Sequence, residues 1–215
     1  MNHISELAQL GTSTWLDDLS RERLVSGNLK EIISTKSIVG VTTNPAIFAA
    51  AMTNGTAYDA ELATLKESKA SADEAVYALA IEDVQNACDL FADIYSSTDG
   101  ADGRVSIEVD PRISDDPTAT LEQARELWSK VDRPNVMIKI PATSGSLPAI
   151  EDALAEGISV NVTLIFSVER YRAVIEAFRT GLKRAAESGK DVATIHSVAS
   201  FFVSRLDTEV DKRLE

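Results

Sequence analysis

Cysteine is almost missing from this chain. Cys88 is the only one in 215 residues, which excludes an internal disulfide framework and argues against a thiolate metal cluster. Histidine is nearly as scarce: His3 and His196 lie far apart, no HxH or HExxH spacing occurs, and no metal set is visible. His196 reads equally well as a packed histidine or a site residue. Positive charge is short too, with 21 Lys and Arg against 34 Asp and Glu, a formal net charge of −13 and a pI near 4.6. That balance repels phosphate backbones and excludes general nucleic-acid binding; an anionic small substrate needs a local pocket that reverses the sign. The chain opens on MNHISELAQLG, without a basic segment leading into an apolar core. The longest uncharged stretch, Ser37–Tyr58, is interrupted by Thr42, Thr43, Asn44 and Pro45, so no membrane span is expected. The expectation is a cytoplasmic protein without a membrane partner. Neither GxGxxG nor a Walker A motif occurs, which argues against a nucleotide-binding domain.

What is present is ordinary for a folded protein: 44% apolar and 26% charged residues. At roughly 150 residues per domain the length suits one core, and no Pro/Gly/Ser linker divides it. Short β-like runs alternate with helical stretches, the pattern of βα units in a parallel sheet. Candidate strands are Ser13–Asp17, Ile38–Thr42, Arg104–Asp110, Asn135–Ile140, Ser159–Leu164 and Val192–Val198. Helical periodicity covers Gly27–Thr35, two or three helices within residues 57–97, Pro117–Lys130 with Thr118 or Thr120 as cap, Ser146–Glu156, Val168–Gly189 and a helix from about Val203 onward. The turn-rich SSTDGADG at Ser96–Gly103 is where order is expected to be weakest. Six strands fit an open doubly wound sheet or most of a (β/α)8 TIM barrel, and without a nucleotide loop the barrel is preferred. The reading is α/β, one barrel domain over residues 1–215, with about six of eight strands and an incomplete C-terminal end.

Parallel strands buried on both faces should read as continuous Val, Ile and Leu. Several here do not, and the exceptions cluster at strand ends. In Val136–Pro141, Val136, Ile138 and Ile140 share one face while Met137 and Lys139 share the other. A lysine turned into a barrel loses hydration, which favours the neutral amine that attacks carbonyls. The plain alternative is a lysine snorkelling from a strand end. In Val105–Asp110, Glu108 alternates with apolar residues and faces the same interior, as an acid/base or as the partner in a buried ion pair. Asp17 ends the first strand, and Asn161 and Thr163 alternate with Val160, Val162 and Leu164 in the fifth. Asn44, held extended by Pro45, reads as a site residue or a turn residue. Lysine, carboxylates, amides and hydroxyls at the C-terminal ends of barrel strands suit a lysine-dependent carbonyl or aldol site.

Six segments in order, STWLDDLSRERL, GVTTNPAIF, GRVSIEVDPR, VMIKIPAT, ISVNVTLIFSVERY and ASFFVSRLDTEVD, resemble the transaldolase family in its longer bacterial form. They span about residues 13 to 211. The resemblance implies a class I aldolase-type barrel that transfers a dihydroxyacetone unit between sugar phosphates in the non-oxidative pentose phosphate pathway, with no cofactor. It implies that Lys139 forms the Schiff base, that Asp17 handles the C4 hydroxyl proton, and that Glu108 and Thr163 position and activate a water. Asn44 and Asn161 match substrate-contacting asparagines, and Ser200 and Arg205 match residues that hold the substrate phosphate. A Schiff-base sugar-phosphate aldolase and a catalytically dead barrel fragment are the competing readings, and the sequence carries no information on oligomeric state.

Overall fold

The computed structural model describes residues 3–43 and 56–214. Packing divides the chain into two compact units, Met1–Ile107 with Ser129–Val136, and Glu108–Trp128 with Met137–Glu215. The architecture is α/β: six parallel strands alternate with helices, the succession expected of a (β/α)8 fold with six of its eight strands. No described helix is long and apolar enough to cross a membrane.

The first unit contains α1 (His3–Gln9), β1 (Trp15–Leu16), α2 (Arg21–Val25), α3 (Asn28–Lys36), β2 (Gly40–Thr42), α4 (Asp59–Glu67), α5 (Ala72–Ser97) and most of β3 (Arg104–Glu108). Trp15 pairs with Gly40, and Val41 with Val105, both in parallel register. α5 starts where its sequence says it should. The Ser71 hydroxyl accepts from the Glu74 amide, and the Glu74 carboxylate accepts from the Ser71 amide, closing a capping box. Its inward stripe is Leu79, Ala80, Val84, Ala87, Cys88 and Phe91, all buried. Burial pushes the Cys88 thiol up, so it stays protonated and serves as a small core hydrophobe.

The segment Ser96–Gly103, where order is expected to be weakest, instead ends α5 at Ser97 and is then stitched to the unit. Thr98 Oγ1 accepts from the Asp102 amide at 3.0 Å, and the Gly103 amide donates to the Val39 carbonyl at 2.6 Å. The buried Arg104 guanidinium lies over the Tyr95 ring at 5.3 Å, and its Nε donates to the Gly100 carbonyl at 2.7 Å. Asn135 finishes the floor: its amide group donates to the Cys88 and Gly103 carbonyls, and its own carbonyl accepts from Val105.

The second unit carries the end of β3, most of α6 (Pro117–Val131) and β4 (Val136–Pro141), then α7 (Leu147–Ala155), β5 (Val160–Ile165), α8 (Val168–Glu187), β6 (Ser197–Phe201) and α9 (Val203–Leu214). The Val109 amide donates to the Lys139 carbonyl at 3.1 Å, which makes β3 the neighbour of β4. β5 lies on the other side of β4 and β6 beyond it, again in parallel register. α6 is capped by Asp116, whose carboxylate accepts from the Thr118 and Ala119 amides at 3.0 Å. The sequence offers Thr118 or Thr120 as the cap, but Thr118 is itself a donor to Asp116 and Thr120 donates its hydroxyl proton to the Ile113 carbonyl.

One strand is displaced from its expected place. Val192–Thr194 is a 3-10 turn, because the Asp191 carboxylate accepts from the Ala193 amide and diverts the backbone from a ladder. β6 begins only at Ser197, and that shift puts Ser200 inside it.

Gly103 tests the stitching. Its φ is +74°, and a Cβ there would sit 2.3 Å from the Tyr95 amide nitrogen. Gly103→Ala is expected to cost about 2 kcal/mol or more, because backbone must move. Gly11→Ala, at φ +88° with nothing within 4 Å, should cost only about 1 kcal/mol. Urea midpoints of the two variants check this; equal losses would mean the 98–103 turn gives way freely.

Candidate active site

β4 is buried along its whole length, so Lys139 enters an environment set by its neighbours. Its Nζ lies 3.7 Å from Glu108 Oε2, and the two side chains keep only 10% and 14% of their exposure. The pairing of β3 with β4 at this level brings them together, since Val109 follows Glu108 and bonds the Lys139 carbonyl. Lys139 also stands in register with Asn161, and Pro141 with Thr163. With period two, Lys139 and Pro141 share a face of β4, while Asn161 and Thr163 share a face of β5. Asn161 and Thr163 are almost completely buried.

β6 adds a hydroxyl. Ser200 is half-buried, and its Oγ donates to Asn161 Oδ1 at 2.8 Å. The contact depends on an irregularity in β5. Val162 pairs with Ala199 and Ile165 with Phe201, so Thr163 and Leu164 together oppose Ser200 alone. This is a β-bulge, and Leu164 absorbs it with a φ of +59°, a conformation that costs a branched side chain energy. The bulge leaves Thr163 buried and turns Leu164 toward solvent.

Beyond Ser200 the aromatic pair Phe166 and Phe202 meets edge to face, with centroids 5.5 Å apart. Arg205, exposed in the first turn of α9, lies over the Phe202 ring at 4.7 Å. Among the described residues no carboxylate pairs with Arg205.

The second unit thus brings together five of the expected residues, Lys139, Glu108, Asn161, Thr163 and Ser200, with Arg205 at the start of the next helix. Asp17 belongs to the first unit, exposed directly after β1. Asn44 lies outside the described residues. No group of three His, Cys, Asp or Glu side chains that could hold a metal ion occurs among the described residues. Sequence periodicity missed Phe166, Phe202 and the Leu164 bulge; the aromatics in NVTLIFS and SFFVSR were a visible signal, the bulge was not.

Comparison with known proteins decides what this constellation belongs to. The profile of the transaldolase/fructose-6-phosphate aldolase family matches residues 14–215. The chain belongs to that family. Curated transaldolases similar to it include one from Mycolicibacterium smegmatis, 59% identical over 213 residues, and one from Kocuria rhizophila, 60% identical over 210 residues. A third, from Mycobacterium bovis, is 56% identical over 213 residues. These alignments cover 98–99% of this chain and 57% of the relatives, so the chain spans a little over half the length of the transaldolases it matches.

The Lys139–Glu108 pair makes a thermodynamic test possible before any chemistry. Removing one member leaves the other charge poorly solvated, so Lys139→Met and Glu108→Gln should each destabilise by about 1–3 kcal/mol. The double variant should lose clearly less than the sum, with a coupling on the order of 1 kcal/mol or more in urea melts. Strictly additive losses would mean the two groups do not interact.

Proposed function

We propose that the chain carries the lysine centre of a transaldolase. The observation that carries this reading is the nearly buried Lys139–Glu108 pair at 3.7 Å, flanked in register by Asn161 and Thr163. The substrate is a ketose phosphate, fructose 6-phosphate or sedoheptulose 7-phosphate.

In this reading Lys139 passes a proton to Glu108, and the resulting neutral amine adds to the C2 carbonyl, giving a carbinolamine. Its hydroxyl leaves as water, with Glu108 as the proton donor and Thr163 holding that water, and an iminium forms. Asp17 takes the proton of the C4 hydroxyl. The C3–C4 bond breaks, its electron pair moves into the iminium, and an aldose phosphate leaves. A three-carbon enamine stays on Lys139 until an acceptor aldehyde is attacked and the steps reverse. When substrate binds, Ser200 turns its one hydroxyl proton from Asn161 to the phosphate, and Asn161 is freed to hydrogen-bond the substrate hydroxyls, with Asn44 contributing likewise. Arg205 with Ser200 holds the phosphate, giving a local positive site on an acidic protein. Exclusion of water from the enamine makes the reaction a transfer instead of a cleavage.

The family description also names fructose-6-phosphate aldolase, which supports one alternative: a lysine aldolase that releases free dihydroxyacetone. Product analysis with and without an acceptor aldose distinguishes them. Transfer requires the acceptor for multiple turnovers, and full-rate release without it would establish the aldolase. In either reaction Lys139→Arg should lower turnover by about a thousandfold or more while the fold is kept, because the guanidinium forms no imine. Glu108→Gln should lower it by a factor on the order of a hundred. Undiminished turnover in Lys139→Arg would remove Lys139 from the chemistry.

A further inference from the structure

The first unit contains a buried charge cluster that the proposed chemistry does not use. Arg21, the first residue of α2, is 6% exposed, and three carboxylates surround it. Its Nε donates to Asp83 Oδ1, Nη1 donates to Glu61 Oε1 at 2.6 Å, and Nη2 lies 3.2 Å from Glu82 Oε2. The other Asp83 oxygen accepts from the Tyr58 hydroxyl at 2.7 Å, and that hydroxyl accepts from the Arg21 amide at 2.9 Å. The Tyr58 ring lies under the guanidinium at 5.2 Å. Asp83 and Tyr58 are themselves buried, so the group is bound from the backbone outward. Burial works against the Arg21 charge, but Asp83, Glu82 and Glu61 outweigh it and hold the guanidinium protonated.

Such a cluster is a costly way to attach a five-residue helix. Apolar packing of the same volume would hold α2 to α5 at least as well. What a planar guanidinium fixed at several points adds is orientation. The residues between β1 and α2 show what is being oriented. Asp18 accepts from Arg23 Nε at 2.9 Å, Leu19 is buried, the Ser20 hydroxyl caps α2, and Arg21 is locked to Asp83. Asp17 is the one carboxylate in this connection that remains exposed. We infer that Arg21 is a positioning residue: with Asp83 and Tyr58 it fixes the β1–α2 connection so that the Asp17 carboxylate is presented in one orientation. The inference rests on the reading of Asp17 as the acceptor of the C4 hydroxyl proton.

A positioning role predicts a specific kinetic lesion. Asp17 acts after the imine has formed, so a misplaced carboxylate should stall the reaction between imine formation and C3–C4 cleavage. The test compares the unsubstituted chain, Arg21→Lys, Asp83→Asn and Asp17→Asn. Each is incubated with fructose 6-phosphate, reduced with borohydride and weighed by mass spectrometry, and amide hydrogen exchange is followed in the peptide spanning Trp15–Ser20. Arg21→Lys keeps the charge and loses the fork. It should raise the ratio of intact six-carbon to three-carbon adduct about tenfold, as Asp17→Asn does, with total adduct unchanged. Exchange should accelerate in the Trp15–Ser20 peptide and not elsewhere. The isosteric Asp83→Asn, which serves if Arg21→Lys does not fold, should do the same in milder form. An unchanged adduct ratio with faster exchange across the whole unit would make the cluster a structural fastening and overturn the inference. Unchanged exchange at Trp15–Ser20 would overturn it whether or not any adduct forms. Absence of every adduct from the unsubstituted chain would instead refute the lysine reading itself.

Discussion

Holding an ammonium and a carboxylate 3.7 Å apart with little water around either is the constraint on which the second unit depends. Each charge alone would be expensive at a buried strand position, and together they are tolerable only if the strands keep their registers. The Val109-to-Lys139 backbone bond fixes one register and the Lys139–Asn161 pairing the other. Apolar residues on the opposite face, Val136, Ile138, Ile140, Val160 and Val162, are all buried and resist a slip of one residue, which would turn Lys139 into the helix layer. Core packing and site chemistry are therefore one problem in β4 and β5.

The bulge at Thr163–Leu164 solves a related problem on the side of β6. A regular ladder would set one β5 residue opposite Ser200, and here two occupy that place. Strain is accepted at Leu164, whose φ is +59°, while Thr163 stays buried and Ser200 reaches Asn161. Strain of this kind is found at sites where side-chain aim matters more than local stability. In the first unit, orientation is enforced by charge: Asp83 divides its two oxygens between Arg21 and Tyr58.

The sequence disclosed the parts of this arrangement that obey short periods. Alternation in VMIKIP, SIEV and NVTL separates Lys139, Glu108, Asn161 and Thr163 from their apolar neighbours, and the structure sets Lys139 beside Glu108 and in register with Asn161; five strands lie within or beside their expected ranges. The sixth was expected too early, because the apolar run at Val192 carries the right composition but Asp191 caps it into a turn. The Thr98–Gly103 turn looked loose from its glycines, yet its order comes from Val39 and Arg104 and no local signal reports that. The Arg21 cluster was illegible for the same reason. Its partners lie 37 to 62 residues away, and nothing near Ser20-Arg21-Glu22 distinguishes a buried arginine from a solvated one.

The central claim is that Lys139 is a nucleophile in this chain and that its strand neighbours make it one. The most direct measurement is peptide mapping of the borohydride-reduced product formed with fructose 6-phosphate. The account predicts a stable mass increase confined to the peptide that contains Lys139. Label spread over surface lysines such as Lys36 and Lys190, or no label on the Lys139 peptide, would contradict it.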